Sequence, residues 1–187
     1  MKNNQPKFAD KYKLKSSRLI NWDYSTPGFY FITICTYNHN NFFGKIINNK
    51  MVYSKCGEIV ESELLKTFKI RKNIELLQWV IMPNHVHILM EIIKQEDKCR
   101  DVARYVSTTK ENNKNFSNIS PKPNTISSII RSFKSAVTKQ INPKTIFFAW
   151  QPRFHDQIIK DEKELLVIKK YIQNNVINWN KDKFYKK

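Results

Sequence analysis

Two apolar runs separated by a Pro-Asn dipeptide constrain the fold of this chain more than any other feature. Residues 75–82 and 85–93 are each apolar enough and long enough for a strand. Proline and asparagine suit the two central positions of a tight turn, so Pro83 does not interrupt a strand. We therefore predict two adjacent antiparallel strands, which commits the chain to a sheet.

The rest of the chain adds strands and helices around this hairpin. We predict strands at 29–37, 42–47, 50–54 and 146–150, and helices at 57–70, at 125–141 and from 161 onward. Asn48-Asn49 forms the turn of the second hairpin, because asparagine tolerates positive φ. Asp161 and Glu164 form a capping box at the start of the last helix. Interleaved strands and helices with a central hairpin are typical of an α+β domain with an antiparallel sheet.

The length of 187 residues indicates a single domain. We divide it into a basic arm over 1–27 and one domain over 28–187, with a long polar loop at 94–123. No apolar run is long enough to span a bilayer, and the lysine-rich start lacks a secretory signal. The three cysteines form no CxxC pair, which favours a reduced, cytoplasmic protein.

The net charge is the strongest global signal. Thirty-three Lys and Arg residues against sixteen Asp and Glu residues give +17. A surface this basic attracts polyanions, and nucleic acid is the usual partner. An AT-rich genome that favours Lys and Asn codons is the alternative explanation, but it does not account for the scarcity of acidic residues.

His85-Val86-His87 is the sharpest local motif. Alternate residues of a strand share one face, so both imidazoles point the same way from positions about 7 Å apart. Two imidazoles can hold one divalent cation and leave positions open for water or substrate. The alternative is a pair of polar side chains on the solvent-exposed face of a strand.

The last helix offers a second pair of polar residues. Tyr171 and Asn175 are four residues apart and are therefore neighbours on one helical face, beside the apolar stripe of Ile168 and Ile172. A residue in this position can meet the sheet and still reach a substrate. An ordinary tyrosine at the edge of an amphipathic helix is the alternative.

Residues 79–89, Trp-Val-Ile-Met-Pro-Asn-His-Val-His-Ile-Leu, resemble the HUH motif of the single-tyrosine transposases. Further stretches resemble the REP-associated tyrosine transposases, occur in that family's order and extend the resemblance over about 18–180. They are residues 22–25 (WDYS), 31–36 (FITICT), 131–137 (RSFKSAV), 150–154 (WQPRF) and 171–175 (YIQNN).

The resemblance implies a ferredoxin-like fold, an antiparallel sheet with helices packed on it, as in HUH endonucleases. It implies that His85 and His87 bind Mg²⁺ or Mn²⁺, that Asn175 is the third ligand and that Tyr171 is the nucleophile. The protein would then be a metal-dependent endonuclease and strand transferase for single-stranded DNA with hairpin or palindromic repeats. The tyrosine would become linked to the 5′ end of the cut strand.

We expect DNA contacts from basic residues outside this centre, namely Arg18, Arg131, Lys134, Lys139 and Arg153. We expect a cytoplasmic, nucleoid-associated monomer that uses its own tyrosine, with a homodimer as the alternative. Two rival functions are a non-catalytic nucleic-acid-binding protein and a metal-dependent nuclease that uses water.

The chain departs from the family pattern at two places. Val176 stands where relatives usually carry proline, so we expect the helix to continue towards Trp179. Relatives tend to carry histidine at the position of Gln157, whereas here the histidine is His155. We expect His155 to lie in a basic loop or cap a helix, without a catalytic role.

Overall fold

The computed structural model describes residues 22–93, 125–142 and 147–185. Its strands are β1 (Gly28–Cys35), β2 (Gly44–Ile47), β3 (Lys50–Tyr53), β4 (Ile74–Met82), β5 (His85–Ile92) and β6 (His155–Ile159). Its α-helices are α1 (Lys55–Lys69), α2 (Ile126–Ile141) and α3 (Glu162–Asn174), and 3₁₀ turns span Tyr37–His39 and Trp179–Lys181. Arg18, most of the predicted basic arm and the predicted loop at 94–123 lie outside the described residues.

The main sheet has the strand order β4-β5-β1-β6, and every neighbouring pair is antiparallel. In chain order its elements run β1-α1-β4-β5-α2-β6, with the small β2–β3 hairpin inserted after β1. This is the ferredoxin-like arrangement, so the predicted α+β fold is confirmed. No helix in the described ranges combines the length and apolar character that a membrane crossing needs.

The two faces of the sheet carry cores of very different size. Tyr30, Ile32 and Ile34 of β1 point to the face covered by α1 and α2, where most of the buried apolar residues lie. Phe29 and Phe31 point to the opposite face, which α3 covers. In the part of the chain that the structure describes, the buried apolar cluster on that second face consists of Leu89, Ile159, Ile168 and Ile172.

Both predicted turns are present. Asn48 and Asn49 have φ values of 51° and 58°, the left-handed conformation that a two-residue hairpin turn requires. Met82 pairs with His85 across the Pro83-Asn84 turn, so β4 and β5 form the predicted hairpin at the centre of the fold.

The strand prediction near residue 150 is wrong. Residues 147–149 are not in a strand, and Trp150 forms only an isolated bridge with Thr36. The edge strand is instead β6, which the sequence analysis missed because it is short and only Ile159 is buried. His155 is therefore not in a loop or a cap but begins β6, opposite Thr33.

The ends of α3 also differ from expectation. The Asp161 side chain accepts a hydrogen bond from the Glu164 N–H, as predicted, but the Glu164 carboxylate accepts from the backbone N–H of Lys160 rather than that of Asp161. The α-helix does not continue to Trp179: it ends at Asn174 and tightens through a turn into a 3₁₀ segment. The tightening follows from a change in bonding, because the Trp179 N–H bonds to Val176 three residues back.

Candidate metal centre and nucleophile

The two histidines of the HUH motif lie side by side on β5, on the face that α3 covers. The alternation of β5 sends Val86 into the main core and both imidazoles to the other face. The ring centroids are 4.5 Å apart and the two Nε2 atoms 3.1 Å apart. The predicted common orientation is confirmed. The two side chains are only 0% and 1% exposed, so the alternative of a solvent-exposed pair is wrong.

Hydrogen bonds on the far side of each ring fix its orientation. His85 Nδ1 lies 2.8 Å from Asn84 Oδ1, and His87 Nδ1 lies 2.8 Å from Thr33 Oγ1. The Asn84 amide nitrogen donates to the carbonyls of His39 and Phe184, which leaves its oxygen as an acceptor. His85 therefore carries its proton on Nδ1 and presents a lone pair at Nε2.

The surroundings keep both rings neutral. Burial lowers the pKa of His85 to about 3 and holds the pKa of His87 well below its usual value of 6.5. The lone pair at His85 Nε2 lies 3.1 Å from Nε2 of His87. Two nitrogens this close need a proton or a cation between them. Nitrogens that bind one ion at about 2.0–2.1 Å, at right angles to each other, are about 3 Å apart. The pair therefore fits a shared divalent cation.

Tyr171, on α3, reaches the same point from the other side. Its hydroxyl lies 3.2 Å from His87 Nε2, and its ring packs edge-on against Phe31 with centroids 6.1 Å apart. The side chain is 40% exposed, so a substrate can approach the phenol. Burial, and secondly the charge of Asp182, raises the pKa of Tyr171 to about 12, so the phenol is protonated at neutral pH.

Asn175, the predicted third ligand, caps the end of α3 and is buried. Its amide nitrogen donates to Asp182 Oδ2 over 3.2 Å. Its carbonyl oxygen is buried and has no hydrogen-bond partner among the residues that the structure describes. An acceptor without a donor is compatible with a nearby cation.

Asp182 is a candidate metal ligand that the sequence analysis missed. One carboxylate oxygen of Asp182 and one nitrogen each of His85 and His87 lie within 4.8 Å of one another, as the ligands of one ion would. Its Oδ1 also accepts the backbone N–H of Phe184 over 2.7 Å. A signal was present, because Asp182 is the only acidic residue from position 165 to the end of the sequence.

The C-terminal segment that carries Asp182 covers the histidines. The Phe184 ring packs against His85 and His87 with centroids 4.8 and 6.4 Å away, and stacks on His39 at 5.3 Å. The predicted third ligand Asn175, the predicted nucleophile Tyr171 and the acidic Asp182 therefore all lie along the path from α3 into this segment.

Among the residues that the structure describes, Arg131, Lys134 and Lys139, which were predicted to bind DNA, do not lie at this centre. Arg131 and Lys139 are exposed on α2, on the opposite face of the sheet. The Lys134 ammonium donates to the carbonyls of Gln151 and Arg153, and burial lowers its pKa to about 8.

A protein of Haemophilus influenzae, described as uncharacterized, is 38% identical to this chain over 173 residues, which is 91% of this chain and 92% of that protein. The chain belongs to the family of this Haemophilus protein. No protein-family model matches the chain.

The solved structure of a REP-associated tyrosine transposase bound to a REP hairpin superposes with a TM-score of 0.58 at 17% identity, covering 91% of this chain and 77% of that one. The chain therefore has the fold of the REP-associated tyrosine transposases, as its motifs predicted.

Proposed function

We propose that the protein is a metal-dependent endonuclease and strand transferase that cuts single-stranded DNA with a tyrosine nucleophile. The observation that carries the proposal is the distance of 3.2 Å between the Tyr171 hydroxyl and Nε2 of His87. A phenol that contacts an imidazole pair fit for a divalent cation, and that is 40% exposed, supports attack on a phosphodiester by Tyr171.

His85, His87 and Asp182 would hold Mg²⁺ or Mn²⁺, with the unsatisfied oxygen of Asn175 as a further donor. Imidazoles alone also accept Zn²⁺, but carboxylate and amide oxygens favour the harder ions. When bound, the ion supplies stabilisation of the negative charge that develops on the phosphate oxygens.

The covalent chemistry belongs to Tyr171. The Tyr171 oxygen forms a bond to phosphorus as the bond from phosphorus to the 3′ oxygen breaks, and the leaving oxygen takes a proton from solvent water to become a free 3′ hydroxyl. The phenolic proton passes to the Asp182 carboxylate, whose Oδ2 lies 3.4 Å away. The 5′ phosphate stays esterified to Tyr171, so attack by a 3′ hydroxyl rejoins DNA without ATP.

The partner is single-stranded DNA with hairpin or palindromic repeats. The net charge of +17 and the likeness to a transposase bound to a REP hairpin support it. Arg18, Arg131, Lys134, Lys139 and Arg153 remain the proposed contacts to the rest of the DNA. The contact between Tyr171 and His87 of the same chain supports a monomer, with a homodimer as the alternative. We place the protein at the nucleoid, as one domain over 28–187 with a basic arm.

The test is formation of a covalent adduct. The protein is incubated with Mn²⁺ and labelled single-stranded hairpins from inverted repeats that flank the gene, then denatured and separated by size. Wild type should give a protein-linked band and a fragment with a free 3′ hydroxyl. Tyr171→Phe and His85→Ala should give neither. Tyr53→Phe is the matched control and should behave like wild type. The pKa of Tyr53 is also raised to about 12, as for Tyr171, but Tyr53 lies on β3 rather than on α3.

The outcomes separate the rival functions. Cleavage without an adduct in wild type would show that water is the nucleophile. Cleavage by Tyr171→Phe would show that water or another tyrosine is the nucleophile, which favours the hydrolytic nuclease. Tight hairpin binding without cleavage in any divalent metal would show a binding protein that retains only the fold.

A further inference from the structure

A pocket of about 460 Å³ opens beside the nucleophile, between the last turns of α3 and the segment 178–183. Asp182 belongs to both the pocket and the His85–His87–Asp182 cluster, and Tyr171 and Asn175 also line the pocket. The other lining residues are Val167, Lys170, Asn174, Asn178, Lys181 and Lys183. The volume is at the small end of ligand pockets and suits a group the size of one nucleotide.

The charge of the pocket is positive. Three lysines face a single carboxylate, that of Asp182, which already accepts hydrogen bonds from Asn175 and the Phe184 backbone. None of the three lysines forms an ion pair within the described ranges. Ammonium groups without acidic partners around a nucleotide-sized space are available for phosphates.

The pocket also has an apolar wall. Val167 lies one helical turn before Tyr171 and is 66% exposed. An exposed apolar side chain beside lysines offers a nucleobase a surface while the phosphates meet the charges. These features differ from those of Arg131 and Lys139 on α2, which lie on the far side of the sheet.

We propose that this pocket binds one nucleotide of single-stranded DNA next to the scissile phosphate, with its phosphates on Lys170 and Lys181 and its base against Val167. The proposal rests on the proposed function, because it specifies how the substrate of Tyr171 is held. It assigns the DNA contacts nearest the reaction to the C-terminal part of the chain rather than to α2.

The first test measures binding without cleavage. A fluorescein-labelled oligothymidylate is titrated with protein in EDTA at several salt concentrations, and log K is plotted against log salt. Each phosphate contact contributes about 0.7 to the slope for single strands. Lys170→Gln combined with Lys181→Gln should lower the slope by about 1.4 and weaken binding about fivefold per lysine at 0.1 M salt. Lys163→Gln, an exposed lysine of α3 outside the pocket, is the control.

The second test uses two neighbouring exposed residues of α3. Val167 lines the pocket, whereas Leu166, 57% exposed, does not. Val167→Glu places a negative charge in the pocket and should weaken oligothymidylate binding several-fold more than Leu166→Glu, although both add the same charge to the same helix.

Equal slopes in the lysine double variant and Lys163→Gln, or equal affinities in the two glutamate variants, would overturn the pocket proposal and leave the Tyr171 adduct assay untouched. The expected binding changes without any adduct in wild type would support the pocket and contradict the proposed catalysis. The two proposals therefore fail separately.

Discussion

Thr33→Val tests whether the imidazole pair is a metal site through a residue that touches no metal. The Thr33 hydroxyl lies 2.8 Å from Nδ1 of His87 and is buried, and valine keeps the shape and the branching at Cβ while removing the oxygen. The substitution leaves His87 Nδ1 buried without a partner. The backbone of residue 33 still pairs with His87 on β5 and with His155 on β6.

The expected size of the effect comes from the lost hydrogen bond. A buried polar group left unsatisfied costs about 1–3 kcal/mol. In metal sites, loss of the hydrogen bond that orients a histidine ligand typically costs about 10–100-fold in metal affinity, or about 1.4–2.7 kcal/mol. Thr33→Val should therefore bind Mn²⁺ about 10–100 times more weakly than wild type. In EDTA, the Tm of Thr33→Val should fall by about 2–12 °C, since about 1 kcal/mol shifts Tm by about 2–4 °C at this size.

Isothermal titration with Mn²⁺ measures the affinity, and calorimetric unfolding in EDTA measures the stability of the metal-free protein. Thr138→Val is the matched control, because its hydroxyl donates to the Lys134 carbonyl over 2.8 Å in α2, on the opposite face of the sheet. The control should lose some stability and keep the wild-type Mn²⁺ affinity. Wild-type affinity in Thr33→Val would refute the reasoning, because His87 would then not be a ligand held by Thr33.

Two further changes probe Asp182 and Lys134. Asp182→Asn keeps the shape of the side chain but removes its charge from the cluster with His85 and His87. The affinity for Mn²⁺, measured by titration, should therefore fall at least tenfold. An unchanged affinity would exclude the carboxylate as a ligand. Burial lowers the pKa of Lys134 from 10.5 to about 8. Between pH 8 and pH 10.5 the unfolded chain therefore binds one proton more than the folded protein, so the free energy of unfolding rises with pH. The free energy of unfolding of wild type relative to Lys134→Gln, from urea titrations at pH 7.5 and 9.5, should therefore increase at the higher pH. Cys35, whose pKa burial raises from 9.0 to about 11, contributes the opposite trend in both proteins. A difference that stays constant with pH would contradict the buried ammonium.

The elements that could be predicted from the sequence are those with a local periodic pattern. The β4–β5 hairpin, α1 and α2 each carry an apolar repeat over many residues, and the histidine pair follows from the alternation of a single strand. Tyr171 was identified by its neighbour at helical spacing and by the family resemblance, and the structure places it against His87.

What could not be predicted lies in short or irregular segments whose positions depend on distant contacts. Asp182 follows a 3₁₀ turn, and its segment is held by a hydrogen bond from Asn84 to the carbonyl of Phe184, a hundred residues further along the chain. No periodicity encodes such a contact. β6 was missed for a related reason, since an edge strand of five residues with one buried side chain has little pattern of its own.

The turn between β4 and β5 also connects the parts of the proposed site. Asn84 accepts a hydrogen bond from His85 and donates to Phe184, so one amide connects the hairpin turn, the first histidine and the C-terminal segment that carries Asp182. Val86, Ile88 and Met90 alternate with the histidines and are fully buried in the main core. A shift of β5 by one residue would turn that apolar set towards α3 and bury the imidazoles among α1 and α2. The large core therefore fixes where the histidines point, and the small cluster under α3 leaves room for polar groups at the end of the sheet where the chemistry is proposed.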